Sequence, residues 1–269
     1  MRIAQIVAIG ASEFEKKAQR TDFAALSGQH EIVVIPLEEL PRTDAVVAHI
    51  YGPAALPRRP FRGVRVPYVA SGRPSPRHFA FGSVAEPAHV LTPLRDGGGT
   101  LVPEAVDDAW YDARRSSEPA APTIGSFARP GVRDMVERTL ARIHLRRDDI
   151  EWTVFTRPPA PAEIAAVSVW VDPAVEESDY DGYVAEAQVC GVTVVAARTA
   201  INAQRLEKGR TGFLVPVSDA NEMTHAILTA LFKPEAAGER ESAARQTASK
   251  FRVRQRMKVL LPLYETMVR

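Results

Sequence analysis

Glu186, Arg129, Arg133 and His49 are the side chains best placed to do chemistry. Glu186 sits in the first turn of a predicted helix that stops at Gly191. A carboxylate there is a charged acceptor that can hold hydroxyl donors firmly. The helix dipole would equally favour a solvated glutamate at that position. Arg129 and Arg133 follow a predicted strand over residues 123–128, where cations and helix N-termini can meet an anion; as plain surface arginines they would do nothing. His49 ends a predicted strand over residues 44–49. Sites in open parallel sheets lie beyond strand C-termini, so His49 reads either as a general base or as a satisfied interior histidine. Gly10, in Gly10-Ala11-Ser12 after the first strand, is a lone glycine without the full G-x-G-x-x-G pattern.

Several other chemistries lack their residues. There is no Gly-x-Ser-x-Gly elbow, no Walker A loop and no His-Glu-x-x-His site. The 6 histidines are scattered, which argues against a metal cage. The single cysteine, Cys190, excludes an internal disulfide and reads as a small buried hydrophobe.

The elements that must position these side chains alternate. Strands are predicted over residues 1–9, 31–36, 44–49, 64–70, 89–92 and 99–103, with a helix over 13–26; residues 52–76, rich in Pro and Arg, read largely as loop. Residues 111–122 are polar and linker-like. A second set follows, with strands over 123–128, 152–156, 167–171, 192–195 and 211–216 and helices over 132–144, 186–191 and 220–232, the last capped by Asp219. Lys233-Pro234 ends that helix, and the tail from Glu239 is helical and basic, with Pro262 expected to kink it. This alternation indicates parallel sheets of the Rossmann type. With 269 residues, 45% apolar and 25% charged, the chain can bury a sizeable core. The formal net charge of +1 gives no field that would favour nucleic acid. The apolar start, MRIAQIVAIG, is short and reads as a buried first strand, not as a signal peptide or membrane span; a cytoplasmic protein is the expectation.

Within residues 179–217, Glu186, Cys190-Gly191, Val194-Val195-Ala196 and Gly209-Arg210-Thr211-Gly212-Phe213-Leu214-Val215 occur in an order that resembles the donor-binding half of the retaining GT-B glycosyltransferases, family 4 in particular. Leu101 to Asp107 is similar to that family's hinge segment, and the ending at Tyr264 is similar to its last helix. The resemblance implies an α/β fold of two Rossmann-like domains with parallel sheets, a cleft between them and a C-terminal helix crossing back. The corresponding limits are residues 1–112 for the acceptor side, 113–248 for the nucleotide-sugar side and 249–269 for the returning helix.

What the resemblance implies for function is transfer of a sugar, of the hexosyltransferase type and with retention, from a nucleotide diphosphate sugar to an acceptor hydroxyl, with no metal and no cofactor. The acceptor would be a glycan, a lipid or a small molecule. Glu177 would touch the sugar, with His49 and Arg129 completing the catalytic set. Glu186 would hold the ribose hydroxyls, and Arg129 and Arg133 the diphosphate, with Ser178, Tyr183 and Gly10 also on the donor. Counting back from Glu186 places the first acid at Ser178, and counting forward from Pro173 places it at Glu177. The chain departs from the family in three places. Ser126 stands where the family has an arginine, and Asp179-Tyr180-Asp181-Gly182 replaces a Gly-Phe-Gly loop. Ala200 and Ile201 stand for glycines in a loop where Arg198, Asn202 and Gln204 could contact a ligand. Two alternatives therefore stay open: a non-catalytic GT-B protein that binds a nucleotide, a glycan or a partner enzyme, and a nucleotide-sugar epimerase. Homo-oligomerisation is equally open. The basic tail (Arg252, Arg254, Arg256, Lys258) is either the solvated face of the last helix or a peripheral contact to acidic lipid at the inner membrane face.

Overall fold

Short β-branched runs separated by helices build two parallel sheets. The computed structural model describes residues 1–8, 11, 13–51, 64–68, 91–92, 100–115, 119, 121–129, 131–176 and 182–268. The chain divides into two compact units, Met1–Ala105 with Arg252–Arg269, and Val106–Phe251.

In the first unit, β1 (Arg2–Val7), β2 (Glu31–Val34), β3 (Val47–Tyr51), β4 (Val64–Tyr68), β5 (Leu91–Thr92) and β6 (Thr100–Leu101) form one sheet in the order β2-β1-β3-β4-β5-β6. The pairings are parallel, with Ile3 opposite Ile32 and Val47 on its two sides. All of β3 is buried, as expected of an inner parallel strand covered on both faces. Helix α1 (Glu13–Leu26) and the last helix, α9 (Val253–Val268), belong to this unit. Asp22 of α1 receives Nε and Nη2 of Arg256 at 2.6 and 2.7 Å, and Arg256 Nη1 donates to the Pro103 carbonyl at 3.0 Å. The Tyr51 hydroxyl donates to Asp22 at 2.8 Å. A buried ion pair is tolerated when its remaining donors and acceptors are satisfied in this way. α9 continues as a helix through Pro262.

The second unit carries β7 (Thr123–Phe127), β8 (Glu151–Phe155), β9 (Val169–Asp172), β10 (Thr193–Ala197) and β11 (Phe213–Val215), in the order β11-β10-β9-β7-β8, all parallel. Period-two alternation divides the side chains between two apolar layers. Val169, Val171, Val195 and Ala197 pack with Met135 and Ile143 of α3 (Arg133–His144) and with Met223 and Ile227 of α7 (Ala220–Phe232). Trp170, Val194 and Ala196 pack on the opposite face with Ile164 of α4 (Pro161–Ala165) and with Val184, Ala187 and Cys190 of α5 (Val184–Cys190). Gly191, at φ 78°, closes α5 in the left-handed region that a glycine adopts without strain. Asp219 caps α7 by accepting from the amides of Asn221 and Glu222, both at 3.0 Å.

Two boundaries differ from the sequence reading. The polar stretch expected as linker begins with α2 (Asp108–Asp112) and is pinned inside the second unit. Arg115 donates to the Val167 carbonyl at 3.0 Å and pairs with Glu241 at 2.8 Å, and the Tyr111 hydroxyl donates to the Ala248 carbonyl at 2.8 Å. Pro234 ends α7 and at the same time starts α8 (Pro234–Thr247), since a first-turn proline loses no helical hydrogen bond.

Candidate functional site

Connection order fixes where a site can form in the second sheet. β7 leads outward to β8, and the chain then returns past it to β9, β10 and β11. The β7/β9 neighbours are therefore the topological switch point, and open parallel sheets bind ligands beyond their carboxyl ends. Arg129 follows β7, and Asp172 is the last residue of β9.

These two side chains are paired. Arg129 Nη2 lies 2.7 Å from Asp172 Oδ1, with the side chains only 7% and 2% exposed, and it also donates to the Pro173 carbonyl. Asp172 Oδ2 accepts from Asn202 Nδ2 at 2.6 Å. The same amide nitrogen donates to the Ala197 carbonyl at 3.1 Å, and Arg205 Nη1 donates to Asn202 Oδ1 at 3.1 Å. Asn202 and Arg205 lie on α6 (Ala200–Arg205), whose cap, Thr199, accepts from the Asn202 amide at 3.2 Å. The network thus joins the ends of β7, β9 and β10. Gly182 passes directly over Asp172, and any Cβ there would collide with the carboxylate. The Gly182 carbonyl is held by Trp170 Nε1 at 2.6 Å.

Among the described residues, Arg129 Nε and Nη1 are buried and have no acceptor. A guanidinium carries five N–H donors, and buried donors normally find partners. Arg129 is thus anchored by one nitrogen and leaves two for something else.

Tyr183 precedes α5 at φ 55° and is 4% exposed, its ring meeting Phe127 edge-on at 5.0 Å between centroids. Glu186 lies in the first turn of α5 and is 3% exposed. It is therefore not the solvated glutamate that the helix dipole alone would explain. Gln188, two residues further on, donates to Thr211 Oγ1 at 2.7 Å. Burial, with the Glu186 charge adding to it, pushes the Cys190 thiol up to about 12, which removes it as a nucleophile.

The expected site residues therefore separate. Arg129, Tyr183 and Glu186 all lie in the second unit, with Arg129 beyond β7 and Tyr183 packed on the last residue of that strand. Arg133 does not join them: its side chain is 90% exposed and pairs with Glu137 one turn along α3, so its charge is spent in solvent. Ser126, which stands where a second cation was sought, is fully buried and accepts from Trp152 Nε1 at 2.8 Å. Of the two readings of His49, the structure gives the satisfied interior histidine. β3 runs two residues past it, to Tyr51, so the imidazole turns into the interior of the first unit and is 0% exposed. Its Nδ1 meets the Tyr51 hydroxyl at 3.1 Å and the Tyr264 hydroxyl of α9. Burial lowers its pKa to about 3, which makes it a structural side chain and not a base. Glu177, Ser178 and Gly10 lie outside the described residues.

Sequence reasoning missed Asp172 and Arg205. One signal was available for each. An acid ends the otherwise apolar run Val169-Trp170-Val171, and Asn202 and Arg205 are spaced to share a helix face.

The sequence model of the family described as Glycosyl transferases group 1 matches residues 124–232. No curated protein sequence matches the chain. Among solved structures, the chain is similar to a glycosyltransferase from Rickettsia africae ESF-5, at 11% identity and a TM-score of 0.76, covering 100% of this chain and 98% of that one. It is also similar to Anabaena Alr3699/HepE solved with UDP-glucose, at 14% identity and 0.74, covering 99% and 100%. A third is the sucrose-phosphate synthase of Thermosynechococcus elongatus, at 13% and 0.70, covering 99% and 98%. At these identities the likeness shows the fold, an α/β architecture of parallel sheets of the GT-B class.

Proposed function

We propose that this chain is a glycosyltransferase that takes its sugar from a nucleoside diphosphate sugar and transfers it to an acceptor hydroxyl with retention of configuration. The observation that carries the reading is Glu186, a carboxylate 3% exposed at the head of α5, inside the segment that matches the group 1 family. A buried carboxylate aimed at vicinal hydroxyls grips a ribose with charge-assisted hydrogen bonds. Arg129 supports the same reading, because its unmatched Nε and Nη1 offer donors to phosphate oxygens at the switch point. In the reaction, negative charge accumulates on the departing diphosphate, and donors fixed in place before the reaction stabilise it without reorganising.

A second reading is favoured by a specific observation. With Arg133 in solvent, Ser126 in the core and Arg129 held by Asp172, Arg129 alone of the two expected phosphate-binding arginines lies at the ends of β7 and β9. A protein so equipped could bind a nucleotide and turn nothing over. A thermal-shift series with UDP, GDP, ADP and TDP, alone and as nucleotide sugars, separates these readings from none at all. The transferase reading expects one base to raise the melting point in the native protein and not in Glu186→Ala. If no nucleotide shifts a well-folded sample, both readings fall.

A further inference from the structure

Arg129 and Asp172 form a charge-neutral pair, buried to 7% and 2% exposure, at the point where a donor phosphate would sit. The carboxylate takes Nη2 of the guanidinium and leaves Nε and Nη1 for the ligand. Asn202 fixes the other carboxylate oxygen at 2.6 Å, so Asp172 cannot swing away without breaking a second buried hydrogen bond. A phosphate reaching Nε and Nη1 therefore meets a fixed negative charge on the far side of the same guanidinium.

Resting on the nucleotide-sugar reading above, we propose that Asp172 is a specificity-determining residue: it keeps the phosphate subsite neutral and so favours the less charged donor over the more charged nucleoside diphosphate product. The terminal phosphate of a free diphosphate has a second ionisation at about pH 6. Above that pH it carries one more negative charge than the same phosphate esterified to a sugar. A neighbouring like charge disfavours the added ionisation, and in a buried setting it does so more strongly than in water. The neutral pair thus holds the donor by hydrogen bonds and lets the product leave. Arg205, whose Nη1 donates to Asn202 Oδ1, is the same in the native chain and in variants of Asp172, so a change in the ratio of the two ligands reports the Asp172 charge.

The test is calorimetric titration of the full chain with UDP and with UDP-glucose, above the phosphate's second ionisation. The native protein is expected to bind UDP-glucose at least as tightly as UDP. Asp172→Asn is expected to tighten UDP relative to UDP-glucose by about tenfold, the factor that corresponds to about 1.4 kcal/mol. A purely structural role for Asp172 would weaken both ligands together and leave their ratio unchanged, and that result overturns the proposal while the transferase reading stands. Asp172→Ser, which keeps a neutral acceptor for Asn202, provides a second variant with the same expected change. Should neither variant fold, the native ratio still decides: UDP tenfold tighter than UDP-glucose overturns the proposal. If the native protein binds neither, the titration is repeated with the diphosphate and nucleotide sugar of the base that shifts its melting point; binding of none of the four bases overturns this proposal together with the reading beneath it.

Discussion

The Asp22 carboxylate receives the guanidinium of Arg256 at 2.6 and 2.7 Å across 234 positions of chain. Both side chains are essentially buried, at 0% and 1% exposure. The Tyr51 hydroxyl shares the same carboxylate, and Gln5 Nε2 lies 3.4 Å from that hydroxyl. This cluster is what ties α9 to the first unit.

Removing one member leaves the other charged and unpaired in the interior. Asp22→Ala should therefore cost about 3–5 kcal/mol of stability, read as a lower urea midpoint. Exchanging both residues for apolar side chains of similar volume should recover most of the loss, because the paired charges carry their own desolvation cost. If the double exchange proved as damaging as the single one, the cluster would be supplying more than charge compensation.

His49 makes stability depend on pH in a defined direction. Its folded-state pKa, about 3, lies below the ordinary 6.5, so between those values the unfolded chain binds a proton that the folded chain refuses. Stability from this group is complete above about pH 6.5 and is lost as pH falls toward 3, by at most about 1.4 kcal/mol per pH unit. Urea titrations at pH 7.5 and 5.0 should therefore differ by about 2 kcal/mol more in the native protein than in His49→Gln. Equal pH dependence in the two proteins would contradict the buried, neutral assignment.

Gly182 and Gly238 should answer alanine in opposite ways. A Cβ at Gly182 collides with the Asp172 carboxylate, whereas at Gly238, in the middle of α8, nothing lies within 4 Å. Gly182→Ala should lower stability by about 1–3 kcal/mol or more through overpacking. Gly238→Ala should raise it by about 0.5–1 kcal/mol through helix propensity. Melting curves of the two variants check the pair.

Cys190 is fully buried and its thiol is pushed up to about 12. It should ignore an aromatic disulfide reagent in the native state and react only after denaturant is added, since the thiolate is the reactive form. Prompt labelling of the native protein would mean that α5 opens readily.

What the sequence disclosed, and what it hid, follows the range of the interactions. Strand and helix order was legible because the signals are local. The Asp219 cap, Gly191 at φ 78° and Gly209 at φ 101° each act within a few residues of their own position. The place of Glu186 at the head of a helix was legible, but its burial was not, since the dipole would hold a solvated glutamate there as readily. Asp172 beside Arg129, Tyr264 beside His49 and Asp22 beside Arg256 were not legible, because they lie 43, 215 and 234 positions away. His49 shows how a small local error misleads. Ending its strand at residue 49 puts the imidazole at a sheet rim, while the two further residues of β3 put it in the core. Arg133 misled for the opposite reason. A cation one turn beyond a strand end can face a site or water, and its side chain faces Glu137 and water.

The claim that this chain transfers sugar is tested most directly by following nucleotide sugars by NMR in the presence of the full chain and a panel of sugar and lipid alcohols. The account predicts that one donor is converted to its nucleoside diphosphate, that the product keeps the anomeric configuration of the donor, and that Glu186→Gln suppresses the conversion. A folded protein that binds a nucleotide through Glu186 yet converts no donor would contradict it and identify the chain as a binding protein on a GT-B fold.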